Sequence, residues 1–376
     1  MGRSIGRGGA GRDRLTFLLA SSSLAALLVG GGAPSAFAAC AVTQSGGTVA
    51  TVSNSSPAGN CILVNNNALV TGNVVNSGVL TAAGPAAPST TGITINNSTV
   101  NGAVTNSGTI NASVDGIAIV NNATVLGGIA SSATISAGSA GILVGGSLSS
   151  TSGGVSVIVS TFAGGITNAG TISGAGAGIL VGGNPSAIAA FSSTASSAST
   201  ISNFAGGITN SGTISVGGAG IQVGGNPNVG GSTFNTASVA ISTFAGGITN
   251  LGTIQAGGVG ILVGGTASAG GNSLNSSSVT VVTFGGGISN HGTISAGGAG
   301  ILVGGDTAMG GGIHNQAPVT IATFSGGATN AVASGEQERR MVVKRAETFR
   351  SDPEGSTPSR QRRASRSEAS LARVRQ

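Results

Sequence analysis

The phrase FAGGITNSGTI at residues 204–214 recurs with small changes along the chain and decides its fold. Copies open at Phe162, Phe204, Phe244 and Phe284, and a degraded copy opens at Phe324. Successive copies are separated by 42, 40, 40 and 40 residues. A fixed period of this length is typical of a stack of like units, each of which contacts only its neighbours. The repeat therefore predicts a solenoid.

Apolar β-branched residues alternate with polar ones inside each copy, which is the pattern of strands with one buried face. Asn-x-Gly and Gly-Gly pairs between these runs supply the backbone angles that turns require. Helical patterning is lacking, so we expect an all-β parallel β-helix built from repeats of about 40 residues. Each period has room for about two coils of roughly 20 residues. The body from Ala39 to Asn330 would then hold on the order of 15 coils and extend about 70 Å.

The alternation also predicts which side chains face the interior of one copy. These candidates are Ile208, Ile214, Ile221, Val223, Val239, Ile241 and Phe244. Their combined burial is too small to offset the backbone entropy of 40 ordered residues. We therefore expect stability to belong to the stack, with Phe162, Phe204, Phe244 and Phe284 sharing one structural column.

A second column consists of asparagines, one in each copy. Its members are Asn168, Asn210, Asn250 and Asn290. Amide side chains held in register can bond along the axis as a ladder. Alternatively, each Asn can bond its own backbone in a local turn. The sequence leaves both interpretations open.

Charged residues are confined almost entirely to the two ends of the chain. Between Leu15 and Gln337 there is no Lys or Arg, and the only acids are Asp115, Asp306 and Glu336. A body without basic residues cannot neutralise phosphates, so we expect no nucleic-acid partner.

Residues suited to catalysis or metal binding are scarce. His291 occupies a variable turn position, and His314 and Asp306 share a connecting loop where they could approach each other. Two His without Cys or carboxylates at ligand spacing make a weak zinc site, and the regular Asp of calcium-binding repeats is missing. We expect no enzymatic activity, no metal and no cofactor.

The first 38 residues read as an export signal. A basic start that ends at Arg14 precedes the apolar run Leu15 to Val29, and Ala36-Phe37-Ala38 offers a cleavage site. Cys40 and Cys61 follow directly, and in an oxidising compartment they most simply form a disulfide. The alternative is a lipidated Cys40, which would leave Cys61 unpaired.

The repeat pattern stops after Asn330. The register requires Gly-Thr-Ile at 332–334, where the chain reads Val-Ala-Ser, and residues 336–376 carry 11 basic and 6 acidic residues. We expect a disordered basic tail, and one hypothesis is a frame slip that replaced the natural continuation. The predicted division is a signal at 1–38, an N-terminal cap and degenerate coils at 39–100, repeats at 101–330 and a tail at 331–376.

The Gly-Gly-Ile-Thr-Asn-Ser-Gly-Thr-Ile phrase, the signal followed by a cysteine pair and the shortage of charge resemble an autotransporter passenger of the type V secretion class. The resemblance covers roughly residues 39–330. It implies a right-handed parallel β-helix exported to the periplasm, cell surface or surroundings of a Gram-negative bacterium, often serving adhesion or self-association. The translocator barrel of that class is not recognisable after Asn330, so the resemblance implies outer-membrane contact only through a translocator outside this chain.

By the same resemblance, the expected function is non-enzymatic adhesion through a long multivalent face, with host surfaces, glycans or a second copy as partners. Candidate contacts lie on the Ser/Thr/Asn-rich connectors at 185–203, 226–243 and 266–278, because binding usually resides in variable loops on a fixed scaffold. The alternative for any one connector is a plain spacer. The alternatives are a truncated or vestigial structural product without a partner and a polysaccharide-active enzyme.

Overall fold

Parallel strands make up almost the whole of the computed structural model of this chain. The structure describes residues 40–82, 90–189, 194–231, 234–271, 274–309, 315–330 and 341–343. All of them belong to the unit Ala39–Gln376, so the predicted export signal lies outside the described residues. Every strand pair joins a strand to its counterpart in the next coil, in parallel. The predicted parallel β-solenoid is therefore confirmed.

Four sheets surround a common interior. The first sheet contains ten strands, namely Val42–Ser45, Ile62–Asn65, Ile93–Asn96, Ile117–Val120, Ala140–Gly145, Ala177–Gly183, Ile221–Gly225, Ile261–Val263, Ile301–Val303 and Met341–Val343. The second contains Thr48–Val49, Leu69–Val70, Thr99–Val100, Ala123–Val125, Gly153–Phe162, Ala195–Phe204, Thr236–Phe244, Ser276–Phe284 and Val319–Phe324. The third contains Val52–Asn54, Val74–Asn76, Val104–Asn106, Ile129–Ser131, Ile166–Asn168, Ile208–Asn210, Ile248–Asn250, Ile288–Asn290 and Ala328–Asn330. The fourth contains Val79–Ala82, Thr109–Ala112, Ile135–Ala137, Thr171–Gly174, Thr213–Val216, Thr253–Ala256 and Thr293–Ala296.

A fifth sheet is present only in the later coils. Its strands are Ser149–Ser150, Ser186–Ala189, Asn228–Gly231, Thr266–Ala269 and Asp306–Met309. Where it begins, the second-sheet strand lengthens from three residues in Ala123–Val125 to ten in Gly153–Phe162. The residues that enlarge the later coils therefore form a lateral lobe made of the fifth sheet and the first half of each long strand.

The number of residues in one coil differs from the prediction of about 20. Ile208 pairs with Ile248, and Ile248 pairs with Ile288, so one 40-residue period forms one coil rather than two. The prediction of about 15 coils was therefore wrong. Ten strands in the first sheet give nine steps of about 4.8 Å, or about 43 Å along the axis instead of 70 Å. The alternating stretches that suggested a second coil belong to the lobe.

The interior contains the apolar side chains that the alternation predicts. All seven inward candidates, six in the copy that begins at Phe204 and Phe244 at the start of the next, are fully or almost fully buried. Their counterparts in neighbouring coils pair with them directly, so that Ile lies on Ile and Val on Val. Stacking of identical side chains keeps the core continuous along the axis.

The last described strand lies inside the range where we predicted a disordered tail. Met341–Val343 pairs with Ile301–Val303 in the first sheet, 40 residues earlier. The tail prediction therefore does not hold at these three residues. The register position 332–334 and the rest of the tail lie outside the described residues.

Candidate functional site

The asparagine column forms a buried hydrogen-bonded ladder inside the third sheet. Each amide nitrogen Nδ2 donates to the side-chain oxygen Oδ1 of the Asn in the following coil. The Nδ2–Oδ1 distances are 2.8 Å for Asn168–Asn210, 2.8 Å for Asn210–Asn250, and 2.6 Å for both Asn250–Asn290 and Asn290–Asn330. Upstream, Asn54, Asn76 and Asn106 continue the same pattern.

The same amides also make the local turn bond. Nδ2 of Asn210 donates to the carbonyl oxygen of Gly212 at 3.3 Å, and Asn168, Asn250 and Asn290 do likewise two residues ahead. Ladder and turn, which the sequence left as alternatives, therefore occur together. One N–H of each amide fixes the turn, and the other joins two coils.

The ladder is interrupted at one coil, where Ser131 occupies the asparagine position. Nδ2 of Asn106 donates to the Ser131 hydroxyl at 3.2 Å, and that hydroxyl donates to the Ala133 carbonyl oxygen at 3.3 Å. A serine has only one hydroxyl hydrogen, so none is left for the next coil. Oδ1 of Asn168 is accordingly buried without a hydrogen-bond partner.

A second asparagine column was missed by the sequence analysis. Asn235, Asn275 and Asn315 are buried at the lobe and lie 40 residues apart. The backbone N–H of Asn235 donates to Oδ1 of Asn275 at 3.0 Å, and that of Asn275 donates to Oδ1 of Asn315 at 3.1 Å. Their regular spacing was the signal that could have found them.

The phenylalanine column is a continuous stack of rings. Centroids of neighbouring rings are 4.8, 4.6, 4.9 and 5.1 Å apart from Phe162 through Phe324, with interplanar angles of 2–17°. The four rings from Phe162 to Phe284 are fully buried. These aromatic side chains are therefore structural and are not available to a ligand.

At the N-terminal end, Cys40 and Cys61 form a disulfide with a Cα–Cα distance of 4.6 Å. The bond joins the first coil to the strand that begins at Ile62. A sulfur held in a disulfide is not available for acylation, so this geometry favours the paired interpretation over the lipidated one.

The titratable residues do not converge on a common site within the described chain. Asp115 is buried, and its Oδ1 accepts a hydrogen bond from the Ala140 N–H at 3.0 Å. Burial raises the pKa of Asp115, and hydrogen bonds from Ala140 and Ser139 partly oppose that shift. His291 is exposed, with Nδ1 at 3.1 Å from the Ser289 hydroxyl oxygen, and Asp306 is exposed on the fifth sheet.

The suggested approach of His314 to Asp306 stays a prediction, because His314 lies outside the described residues. Among the residues that are described, no group of three or more His, Cys, Asp or Glu could hold a metal ion.

The three connectors proposed as binding loops are largely strands. Residues 186–189, 228–231 and 266–269 belong to the fifth sheet, and the long strands of the second sheet begin at Ala195, Thr236 and Ser276. The loop prediction was wrong because Ser, Thr and Ala alternate there with period two, which suits a thin two-layer lobe. Exposed apolar side chains gather on this lobe, with Ile188 47% and Phe234 60% exposed.

The outer face of the fourth sheet carries a polar column that the sequence analysis did not single out. Six successive strands place polar residues in direct register, namely Asn111, Ser136, Ser173, Ser215, Gln255 and Ser295. Two residues earlier, threonines open five of these strands at Thr109, Thr171, Thr213, Thr253 and Thr293.

An open groove of about 690 Å³ lies beside this polar column, at the end of the fourth sheet. Ser215, Gln255 and Ser295 line it, together with Gly217, Gly257 and Gly297 from the turns that follow. Gly174 of the preceding strand also lines it, so the groove touches four successive coils.

Comparisons with models of known protein families, with curated proteins and with solved structures each give no match to this chain. No helix that could span a membrane is found among the described residues. The described coils enclose an apolar interior with buried hydrogen-bonded Asn columns, and they carry polar outer columns that repeat from coil to coil.

Proposed function

We propose that this chain is a non-enzymatic, exported rod that binds its partners through many weak contacts along its outer face. The observation that carries the proposal is the in-register repetition of polar surface residues over successive coils, such as Ser173, Ser215, Gln255 and Ser295. A ligand or surface that fits one coil meets a hydroxyl or amide group at the same position on the next.

Repetition raises affinity without any strong single contact. Once one coil is engaged, the next contact is intramolecular, and overall avidity can exceed a single affinity by about 10²–10⁴. The rod is suited to this because the solenoid holds its coils at a fixed spacing of about 4.8 Å. An adhesin-like or self-associating passenger of the autotransporter type is the function that this arrangement supports best.

Several features support a binding role over a catalytic one. The described part of the body offers Asp115, His291 and Asp306 as titratable side chains, and these lie on different elements. General acid–base or nucleophilic catalysis needs such groups within hydrogen-bond reach of one reacting atom. We infer that partners are host surfaces, glycans or a second copy, met at the cell surface or outside the cell.

Binding of the purified chain to host cells, extracellular matrix and immobilised copies of itself tests the proposal. We expect saturable binding that weakens steeply when the rod is shortened by whole coils, because avidity depends on the number of contacts. Binding to none of these surfaces would overturn the proposal. It would favour the second candidate, a structural product without a partner. The Asn and Phe columns support that candidate, because their side chains bond and stack within their own and neighbouring coils.

A further inference from the structure

The groove beside the fourth sheet has one polar wall. Ser215, Gln255 and Ser295 occupy equivalent positions in three successive coils and project from the outer face of the sheet. The Ser215 hydroxyl donates to Oε1 of Gln255 at 3.4 Å. Gln255 and Ser295 are exposed. This wall therefore presents hydroxyl and amide groups, each able to donate and to accept hydrogen bonds.

Glycines of the turns that follow the fourth-sheet strands form another part of the lining, beside Val216, Ala256 and Ala296. Gly257 donates its N–H to the Val216 carbonyl at 2.9 Å, and Gly297 donates to the Ala256 carbonyl at 2.9 Å. A Cβ at Gly257 would collide with the carbonyl oxygen of Gly217, so contact between coils requires glycine here. Gly217, Gly257 and Gly297 therefore add no side chain to the lining of the groove.

Charge restricts the class of ligand. The groove-lining residues carry no charge, and between Leu15 and Gln337 the chain has only three acids and no Lys or Arg. An acidic polysaccharide, a nucleic acid or a cationic peptide would lose hydration without gaining an ion pair. A neutral, hydroxyl-rich chain loses little hydration free energy on binding, because its hydrogen bonds to water are replaced by hydrogen bonds to the polar wall.

The repeat distance restricts the shape of the ligand. Equivalent groups along the groove recur every 4.8 Å or so, the spacing of neighbouring strands. An extended β-linked hexose chain advances by a comparable distance for each sugar, whereas an α-linked chain of the same sugars coils. We propose that this groove binds an extended neutral glycan, one sugar to each coil. The inference rests on the proposed adhesive function and names the ligand class of one site on the rod.

The test is calorimetric titration of the purified full chain with cellohexaose and with maltohexaose, which have the same composition but extended and coiled shapes. We expect cellohexaose to bind and maltohexaose to bind at least about tenfold more weakly. Replacing two wall residues together, Gln255→Ala with Ser295→Ala, should weaken cellohexaose binding by about tenfold through lost hydrogen bonds. The matched control Thr209→Ala with Thr249→Ala, on the outer face of the third sheet, should leave binding unchanged.

Equal binding of the two glycans, equal loss in both double variants, or no binding of cellohexaose would overturn the inference. The proposed function is judged separately by attachment to cells, matrix or immobilised chain. If the chain attaches to these surfaces but does not bind cellohexaose, the adhesive function is supported and the glycan proposal is wrong. If the chain binds cellohexaose but attaches to no surface, the groove assignment is supported and the adhesive function is wrong.

Discussion

Buried asparagine side chains connect the coils of this solenoid residue by residue. Asn168, Asn210, Asn250 and Asn290 each donate one amide hydrogen within their own turn and one to the next coil, as Asn210 does with Gly212 and Asn250. A buried polar group costs free energy unless it is bonded, so a fully connected ladder also specifies the register of the strands. Ser131 is the position where this connection fails.

Replacing Ser131 with Asn should complete the ladder. The new Nδ2 would donate to Oδ1 of Asn168, which is buried without a partner, and the new Oδ1 would accept from Asn106. We expect stabilisation of about 1 kcal/mol, measured by denaturant unfolding. The comparison variant Ser131→Ala removes an acceptor from Asn106 and should destabilise the chain. A lower stability for Ser131→Asn would contradict the ladder account.

Asp115 should make stability depend on pH. Burial raises its folded-state pKa above the ordinary value of 3.8, so the folded chain binds the proton more tightly than the unfolded chain. Its favourable contribution is fully present below pH 3.8 and is lost as pH rises through the raised folded pKa. Asp115→Asn keeps an acceptor for the Ala140 N–H and should raise Tm at neutral pH. A Tm difference that stays constant down to pH 3 would argue against this cause.

At the scale of elements, the strands and the inward side chains could be predicted from the sequence. The number of residues that form one coil could not. Period-two alternation at Ile208, Ile214 and Ile241 identifies the buried face, because side chains alternate sides along a strand. The stretch that begins at Thr236 shows the same alternation, and nothing local distinguishes a new coil from a lobe. Which strands pair is a long-range property, and only the structure shows that residues 40 apart are neighbours.

For the candidate site, the fully buried Phe column was foreseeable and the groove was not. Phe204 and Phe244 recur in obvious register, whereas Ser215 and Gln255 differ in type. Their common role becomes visible only when the strands are paired.

Two glycines distinguish close coil contact from open surface. Gly224 has a φ of 124°, and a Cβ there would collide with the carbonyl oxygen of Gly264 in the next coil. Gly224→Ala should therefore destabilise the solenoid by on the order of 3 kcal/mol. At Gly230, by contrast, the atom nearest to an added Cβ is Cγ1 of Ile188 at 3.9 Å, which is an ordinary van der Waals contact. Gly230→Ala should be neutral or stabilising by about 0.5 kcal/mol. Equal effects in thermal unfolding would show that the predicted coil contact is absent.

At the scale of the whole molecule, stability is shared by coils that each contact only their neighbours. One coil corresponds to one period, so removing residues 225–264 joins Gly224 to Gly265 and keeps every remaining strand in register. We expect this shortened chain to retain its β-sheet circular dichroism and a cooperative thermal transition. Removing residues 225–244 should instead displace the Ile and Val columns and abolish the transition. Retention of folding in both deletions would contradict the one-coil assignment.

The central claim is that each 40-residue period makes a single coil with its strands in parallel register. Spin labels at Thr167→Cys and Thr329→Cys test it, because both side chains are exposed on the third sheet and lie four coils apart. Pulsed electron paramagnetic resonance should give a narrow distance distribution near 19 Å, four steps of about 4.8 Å. A distribution near 38 Å, as two coils for each period would give, or one without a defined maximum, would contradict the claim.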